Sequence, residues 1–406
     1  MRRTVAWLVR AAATAAVVAI ALVVILLLVM WREHKTGITL PAPTGHFAVG
    51  RATFTWINEA ETDDLAPSPG VKRRVFAWVW YPATRSATDV PAEYLPGQWR
   101  AALEGRLGTF MRTFFKRDTS LVRAHSLSDA AVSPERRTYP IVVLRAGGSA
   151  LTTDFTTLAE DLASHGYFVA GFDAPYRSFV AVLSDGRVVT RSPAYNVENA
   201  NGNLADPVIG KLLAMWTSDT AFVVGQLQRL SNDPSGRFAR RIDLQRLGMF
   251  GHSFGGATAF QFCHEDGRCK AALDLDGIPF GSVVSEGLAK PGMFLLSDHS
   301  REMADPSSRQ VLAEIQSIYD RLPGGRMYAA IRTANHFSFS DQILLNSHAA
   351  MTLLRVVGVG GLDGRRGLAI SADYVHTFFD VYLNGAPEAE LTSLSGKYPE
   401  IQIEGR

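Results

Sequence analysis

The run Gly251-His252-Ser253-Phe254-Gly255 has the spacing of a serine presented at a sharp strand-to-helix turn. The apolar residues Leu247 to Phe250 come just before it, and the small-residue stretch Gly256-Ala257-Thr258-Ala259 follows. A serine hydroxyl is a poor nucleophile at neutral pH. Attack on an acyl carbon therefore needs an imidazole to take its proton and a carboxylate to fix that imidazole's tautomer. His336 lies 83 residues downstream, in a short loop after the β-rich run Tyr328 to Ile331, whereas His165 precedes the serine and His264 follows it too closely.

Three aspartates at strand ends compete for the acid. Asp276 stands 23 residues past Ser253 and is followed by the turn Gly277-Ile278-Pro279. Asp274 lies in the same apolar run, on the same face but one step deeper, and Asp298 follows the run Met293 to Leu296. We take Asp276 as the acid, with Asp274 and Asp298 as alternatives that read otherwise as turn or capping carboxylates. The tetrahedral oxyanion of acyl transfer needs two preorganised N–H donors. One is expected from Phe254, whose amide opens a helix, and the other from the loop Arg145-Ala146-Gly147-Gly148-Ser149 after an apolar strand.

These residues must be held by a sheet. Two β-rich runs, Arg51 to Ile57 and Arg74 to Tyr81, flank a polar stretch from Glu59 to Gly70 and suggest an opening hairpin. From Pro140 onward, apolar strands alternate with amphipathic helices, the mark of a mostly parallel sheet with crossover helices. Strands are expected at Pro140 to Leu144, Tyr167 to Phe172, Leu247 to Phe250, Ala271 to Leu275, Met293 to Leu296 and Tyr328 to Ile331. Helices are expected at Phe155 to Ser164, Trp216 to Leu230, Ala257 to Phe262 and Ala372 to Tyr382. Residues 92–137 carry no strand signal and read as a helical or irregular excursion around Trp99 to Phe115.

Residues 11–31 form an apolar run whose only polar member is Thr14, roughly 31 Å long as a helix and so enough to cross a bilayer. It ends in Trp31-Arg32-Glu33-His34-Lys35 with no small-residue cleavage site, which reads as an uncleaved anchor. Arg2, Arg3 and Arg10 put the larger basic excess before it, so the body is expected on the periplasmic or extracellular face. The organisation is then a basic N-terminus (1–10), an anchor (11–31), a linker (32–45) with Pro41-Ala42-Pro43-Thr44-Gly45, and one catalytic domain (46–406). The 41 basic and 39 acidic residues are dispersed, so nucleic acid is not an expected partner. Cys263 and Cys269 are six residues apart and are either a small disulfide or two packed thiols; with only His264 beside them they do not reach the ligand count of a zinc site.

The segment Gly251 to Thr258 resembles the nucleophile region of the platelet-activating factor acetylhydrolases and their lipase-like and dienelactone-hydrolase-like bacterial relatives. Similar stretches are Trp80-Tyr81-Pro82, Tyr139 to Val143, Asp161 to Tyr167, and His336-Phe337-Ser338-Phe339-Ser340-Asp341, in the family's order. The resemblance implies an α/β-hydrolase fold and a Ser253, Asp276, His336 triad. The family's acid sits in a Leu-Asp pair, which both Leu273-Asp274 and Leu275-Asp276 match. By resemblance Gly148 supplies the second oxyanion donor, although Ala146 stands where the family usually has histidine. The implied activity is hydrolysis of carboxylic esters, short-acyl lipid esters foremost, through an acyl-enzyme and without metal or organic cofactor. Another ester hydrolase of polyester, lipase or dienelactone type is the nearest rival, and a catalytically silent membrane-anchored interaction protein is the rival from another class. Phe254, Phe260 and Phe280 are the aromatic residues near the serine that would shorten an acyl pocket, with Phe260 reading rather as core. Oligomeric state is not readable.

Overall fold

The computed structural model describes residues 2–195, 207–299, 306–322, 326–356 and 361–403. Helix α1 (Arg2–His34) contains the whole apolar run, and its side chains are exposed along most of its length. Met30 and His34, at its end, are buried. After the two-residue strand β1 (Ile38–Thr39) comes the hairpin β2 (Ala48–Thr62) and β3 (Lys72–Ala83), antiparallel in register Ala52 to Val79. Strand β2 runs past Ile57 through Thr62, so part of the polar stretch expected as a turn is paired strand.

Residues 97–128 hold α2 (Gly97–Leu107), α3 (Thr109–Phe115), β4 (Val122–Arg123) and β5 (Leu127–Ser128). The two short strands escape sequence reading because two residues carry no periodicity. Then follow β6 (Tyr139–Arg145), α4 (Thr156–Ser164), β7 (Phe168–Asp173), the small hairpin β8 (Val180–Val182) and β9 (Val188–Thr190), and α5 (Pro207–Asn232). The second half comprises β10 (Ile242–His252), α6 (Phe254–Glu265), β11 (Cys269–Leu275), α7 (Val283–Glu286), β12 (Gly292–Leu296), α8 (Pro306–Arg321) and β13 (Arg326–Ile331). After them come α9 (Gln342–Leu345), α10 (His348–Val356), α11 (Gly364–Asn384), α12 (Glu388–Lys397) and β14 (Ile401–Ile403). The chain continues past the last expected helix, Ala372 to Tyr382, and β14 adds an antiparallel edge beside β13.

Among the described residues, ten strands form one sheet in the order β14-β13-β12-β11-β10-β6-β7-β3-β2-β5. Its centre, from β13 to β7, is parallel. Strands β6, β7 and β12 are buried on both faces, which is why they read as continuous apolar runs and not as alternating ones. One face packs against α4 and α11 through Leu158, Leu162 and Phe378, the other against α5, α6 and α8 through Leu227, Phe260 and Ile318. Phe260 stacks on Phe294 at 4.4 Å between ring centres, a core position, as expected for it.

The segment between α1 and the sheet is strapped to the body. Leu40 N donates to Arg123 O, Gly45 N to Ser164 Oγ, and the backbone N and hydroxyl of Thr44 both donate to Asp161 Oδ1. The stretch Asp161 to Tyr167, singled out in the sequence, therefore serves as a clasp at the end of α4. Cys263 and Cys269 form a disulfide joining α6 to the start of β11.

Candidate active site

Strand β10 delivers Ser253 at the sheet's carboxyl edge, between its last residue His252 and the first residue of α6. The serine adopts φ 57°, ψ −129°, a backbone conformation that L residues rarely take and that places its side chain on the crest of the turn. Both flanking glycines are sterically required. A Cβ on Gly251 would lie 2.0 Å from Gly255 O, and one on Gly255 would lie 2.2 Å from Arg145 O. The turn is held by Ser253 N donating to Leu275 O and by Gly256 N donating to Ser253 O.

Asp276 leaves the end of β11 with φ 55° and is buried. Its Oδ2 accepts from His336 Nδ1 at 2.7 Å and from the Ser297 hydroxyl at 2.9 Å. Its Oδ1 accepts from Ser297 N at 2.7 Å and lies 3.0 Å from His299 Nε2. Burial alone would raise this carboxyl's pKa, but hydrogen bonds from His299 and His336 and their charges outweigh it and hold the group far below the ordinary carboxylate range. A carboxylate can only accept, so His336 carries its proton on Nδ1 and leaves the Nε2 lone pair open.

The histidine loop is pinned from below. Asn335 caps the turn His336–Phe339 by accepting from Phe337 N, and Asp341 N donates to Asp154 O. Asp341 Oδ2 in turn accepts from Thr157 N, with burial pushing its pKa well above the usual value. The H-x-x-F-x-D pattern thus contains a histidine facing the cleft and an aspartate anchoring its loop to α4. His252 Nε2 lies 2.8 Å from the carbonyl oxygen of His336, and the two rings are 4.3 Å apart. Since a carbonyl only accepts, His252 is protonated on Nε2. Burial, and then the neighbouring His336, push its pKa down to about 3, so it stays neutral.

Asp274 and Asp298 point elsewhere. Asp274 Oδ1 accepts from Gly277 N at 2.8 Å, and a Cβ on Gly256 would lie 1.8 Å from it, so this carboxyl is packed beneath α6. Burial, with Asp276 nearby, raises its pKa well above normal. Asp298 Oδ2 accepts from Thr333 N and joins the loops after β12 and β13.

A cavity of about 290 Å³ is lined by Ser253, His336, Gly147, Gly148, Phe254 and Arg191, among others. A Cβ on Gly147 would come within 3.0 Å of Ser253 Cβ, so this loop closes directly over Ser253. Arg191 Nη1 donates to Gly148 O at 2.9 Å, a brace that sequence reading missed. Phe254 packs with Trp216 of α5 and with Phe280, at 4.9 and 5.8 Å between ring centres. His299 and Ser297 were also missed. The available signal was a second histidine just past β12, the strand that pairs with β11, at whose end Asp276 lies.

Asp161, His165 and His376 bring potential ligand atoms within 4.8 Å of one another, a set that could in principle hold a metal ion. Their bonds are already used: Asp161 accepts from His376 Nδ1 at 2.8 Å, and the Thr44 hydroxyl lies 2.9 Å from His165 Nε2. The nearly parallel imidazole rings, 3.9 Å apart, do not aim their lone pairs at one point.

A serine on a strained strand-to-helix turn, on a mostly parallel sheet covered by helices on both faces, defines the α/β-hydrolase architecture. The sequence matches the family described as platelet-activating factor acetylhydrolase, isoform II, over residues 33–184 and 233–385, and the chain belongs to that family. It is similar to a probable 1-alkyl-2-acetylglycerophosphocholine esterase of Arthroderma benhamiae, 26% identical over 277 residues, which are 64% of this chain and 65% of that protein. It is also similar to a platelet-activating factor acetylhydrolase of Cavia porcellus, 23% identical over 218 residues, 50% of this chain and 48% of the relative. The chain thus spans less than two thirds of the curated relatives it matches. A solved ferulic acid esterase from Streptomyces cinnamoneus superposes with a TM-score of 0.74 at 27% identity, covering 91% of this chain and all of that one.

Proposed function

We propose that this protein hydrolyses carboxylic esters, with Ser253 as nucleophile, His336 as general base and then acid, and Asp276 as the carboxylate that fixes its tautomer. The observation that carries the reading is the 2.7 Å contact of His336 Nδ1 with Asp276, in a loop lining the same cavity as Ser253. His336 Nε2 takes the hydroxyl proton as Ser253 attacks the ester carbonyl. The amides of Phe254 and Gly148 receive the oxyanion, and protonated His336 then gives its proton to the departing alkoxide. Water activated by the same imidazole releases the acid from the acyl-enzyme. No metal or organic cofactor enters these steps.

The preferred substrates are short-acyl esters of lipids, supported by the names of the relatives and by Phe254, which lines the cavity of Ser253 with Trp216 and Phe280 packed against it. Helix α1 is a single-pass anchor with the body outside the cytoplasm, consistent with the N-terminal basic excess and the Cys263–Cys269 disulfide. The ferulic acid esterase likeness favours a second reading, an ester with an aromatic acid. One set of measurements separates them: fluorophosphonate labelling of the wild type and of Ser253→Ala, followed by kcat/KM over acetyl, butyryl, long-chain and feruloyl esters. Labelling lost in the variant and an acetyl or butyryl optimum support the proposal. A folded Ser253→Ala protein that still labels and turns over esters sinks it, and a feruloyl optimum moves it to the second reading.

A further inference from the structure

The cavity of Ser253 has an annex. A second, smaller cavity of about 90 Å³ shares with it Ser149, next to Gly148, and Gln342, at the start of α9. Its other walls come from α2 and from the chain leaving α3, within the excursion whose role the sequence leaves open.

The polar groups of the annex are unevenly committed. Glu104 accepts from Arg112 Nη1 at 3.0 Å, and Asp154 Oδ2 accepts from Leu151 N at 2.9 Å and from Gln342 Nε2 at 2.8 Å. Arg117 donates to the carbonyl oxygens of Leu344, Glu33 and Thr36. Lys116 differs. Its Nζ donates to Asn346 Oδ1 at 2.5 Å and, among the described residues, forms no ion pair. Burial lowers its pKa, with Asp154 acting against that, so an anion beside it would restore what desolvation takes away. On the same wall the Thr119 hydroxyl is buried and, among the described residues, has no hydrogen-bond partner.

Lys116 is also held in place. Ser347 N donates to Phe115 O and Arg117 N to Leu345 O, so Lys116 and Asn346 face each other across an antiparallel bridge. Glu33 fastens the second segment by accepting from the Ser347 hydroxyl at 2.6 Å. A cation fixed in advance loses little freedom when a ligand arrives. The route into the annex decides which part of an ester it meets. Phe254 comes from α6 and packs on Trp216 of α5, whereas Gln342 follows the loop of His336, and a departing alkoxide must sit within reach of His336 Nε2. The annex is therefore entered along the alcohol part.

We propose that Lys116 and Thr119 form a subsite for an anionic group, phosphate or carboxylate, carried on the alcohol part of the ester, with Leu107 and Phe179 covering the carbons beside it. The proposal rests on Ser253 acting as the nucleophile of an ester hydrolase. It narrows the substrates to esters whose alcohol bears a negative charge near the scissile bond. It disfavours a quaternary ammonium joined to that charge, because Arg112 and Arg117 stand on the same wall.

The first test needs no turnover. Glycerol 3-phosphate, glycolate and glycerol are each titrated calorimetrically into the full chain. The two anions should bind and glycerol should not. Lys116→Met should weaken both anions about tenfold or more, Thr119→Val by less, and Lys116→Arg should keep most of the affinity. Equal affinity in the wild type and Lys116→Met overturns the subsite. The second test compares kcat/KM for the acetyl esters of glycerol 3-phosphate, glycolate, glycerol and glycerophosphocholine. The first two should lead, and the ratio of the phosphate ester to the neutral ester should fall about tenfold in Lys116→Met and recover in Lys116→Arg. Hydrolysis of the neutral ester with no advantage for the charged ones rejects the subsite and leaves the esterase reading standing. Anion binding that depends on Lys116, with none of the four esters cleaved, keeps the subsite and removes the role of Ser253.

Discussion

Ser253 and Asp276 sit one strand apart, yet they are held by different physics. Ser253 is fixed by its backbone: glycines that leave no room for a Cβ, a positive φ, and hydrogen bonds between main-chain groups. Asp276 is fixed by side chains that arrive from β12 and from the loop after β13, with Ser297, His299 and His336 all converging on its two oxygens. The first arrangement is local in sequence and tolerates almost no substitution at its glycines. The second is assembled from three separate segments, so its members can be removed one at a time and the loss measured for each.

The largest effect is expected at the centre of that assembly. Asp276→Asn keeps the shape but can donate as well as accept, which lets His336 adopt the tautomer with its proton on Nε2. Turnover should then fall on the order of 10⁴-fold, the cost of a wrong tautomer. Asp298→Asn should leave kcat within a few-fold, because its carboxylate meets Thr333 N and not the imidazole. Equal losses in the two variants would erase the distinction, and a larger loss for Asp298→Asn would move the acid to the later loop.

The next effect is smaller and tests a residue that sequence reading missed. His299 shares Asp276 with His336, and we expect it to act as a positioning residue that keeps the carboxylate aimed. One hydrogen bond to a charged group amounts to roughly 1.5–3 kcal/mol, of which the share transmitted to the transition state should lower kcat about tenfold in His299→Ala. KM should be unchanged, and His299→Gln, whose amide can still donate, should recover most of the rate. A merely structural role would lower stability in the alanine variant without this split and without rescue.

The same division explains what the sequence reveals. The elbow, the sheet's central strands and the histidine pattern are legible because local sterics and buried strands impose residue types at fixed spacing. Asp276 was separable from Asp274 only by the turn that follows it, and that turn is where the two carboxyls diverge: one leaves the sheet, the other is packed against Gly256 and Gly277. His299, Arg191 and Glu33 act through long-range contacts that no spacing encodes. The docking of Glu33 onto α10 joins residues more than 300 positions apart.

The smallest expected effect on activity belongs to His252, which supports the His336 backbone from the strand that leads into Ser253 and so bridges the two arrangements. At neutral pH His252→Gln should retain near-normal turnover, since an amide N–H can replace the imidazole donor to His336 O. The difference should appear in stability against pH. An unfolded chain protonates this histidine near its ordinary pKa of about 6.5. The folded chain resists until about 3, because burial and His336 disfavour the charge. Across that window the unfolded state binds more protons, so stability rises with pH and is lost as pH falls from about 6.5 toward 3. Glutamine does not titrate, and raised carboxyls such as Asp341, which act in the opposite direction, are common to both proteins and drop out of the difference. Denaturant unfolding at about pH 7 and about pH 4.5 should therefore show the wild type losing more stability than the variant, by at most about 3 kcal/mol at the lower pH. Identical pH slopes would mean that His252 accepts its proton in the folded state, and the His252–His336 contact would then have to open in acid.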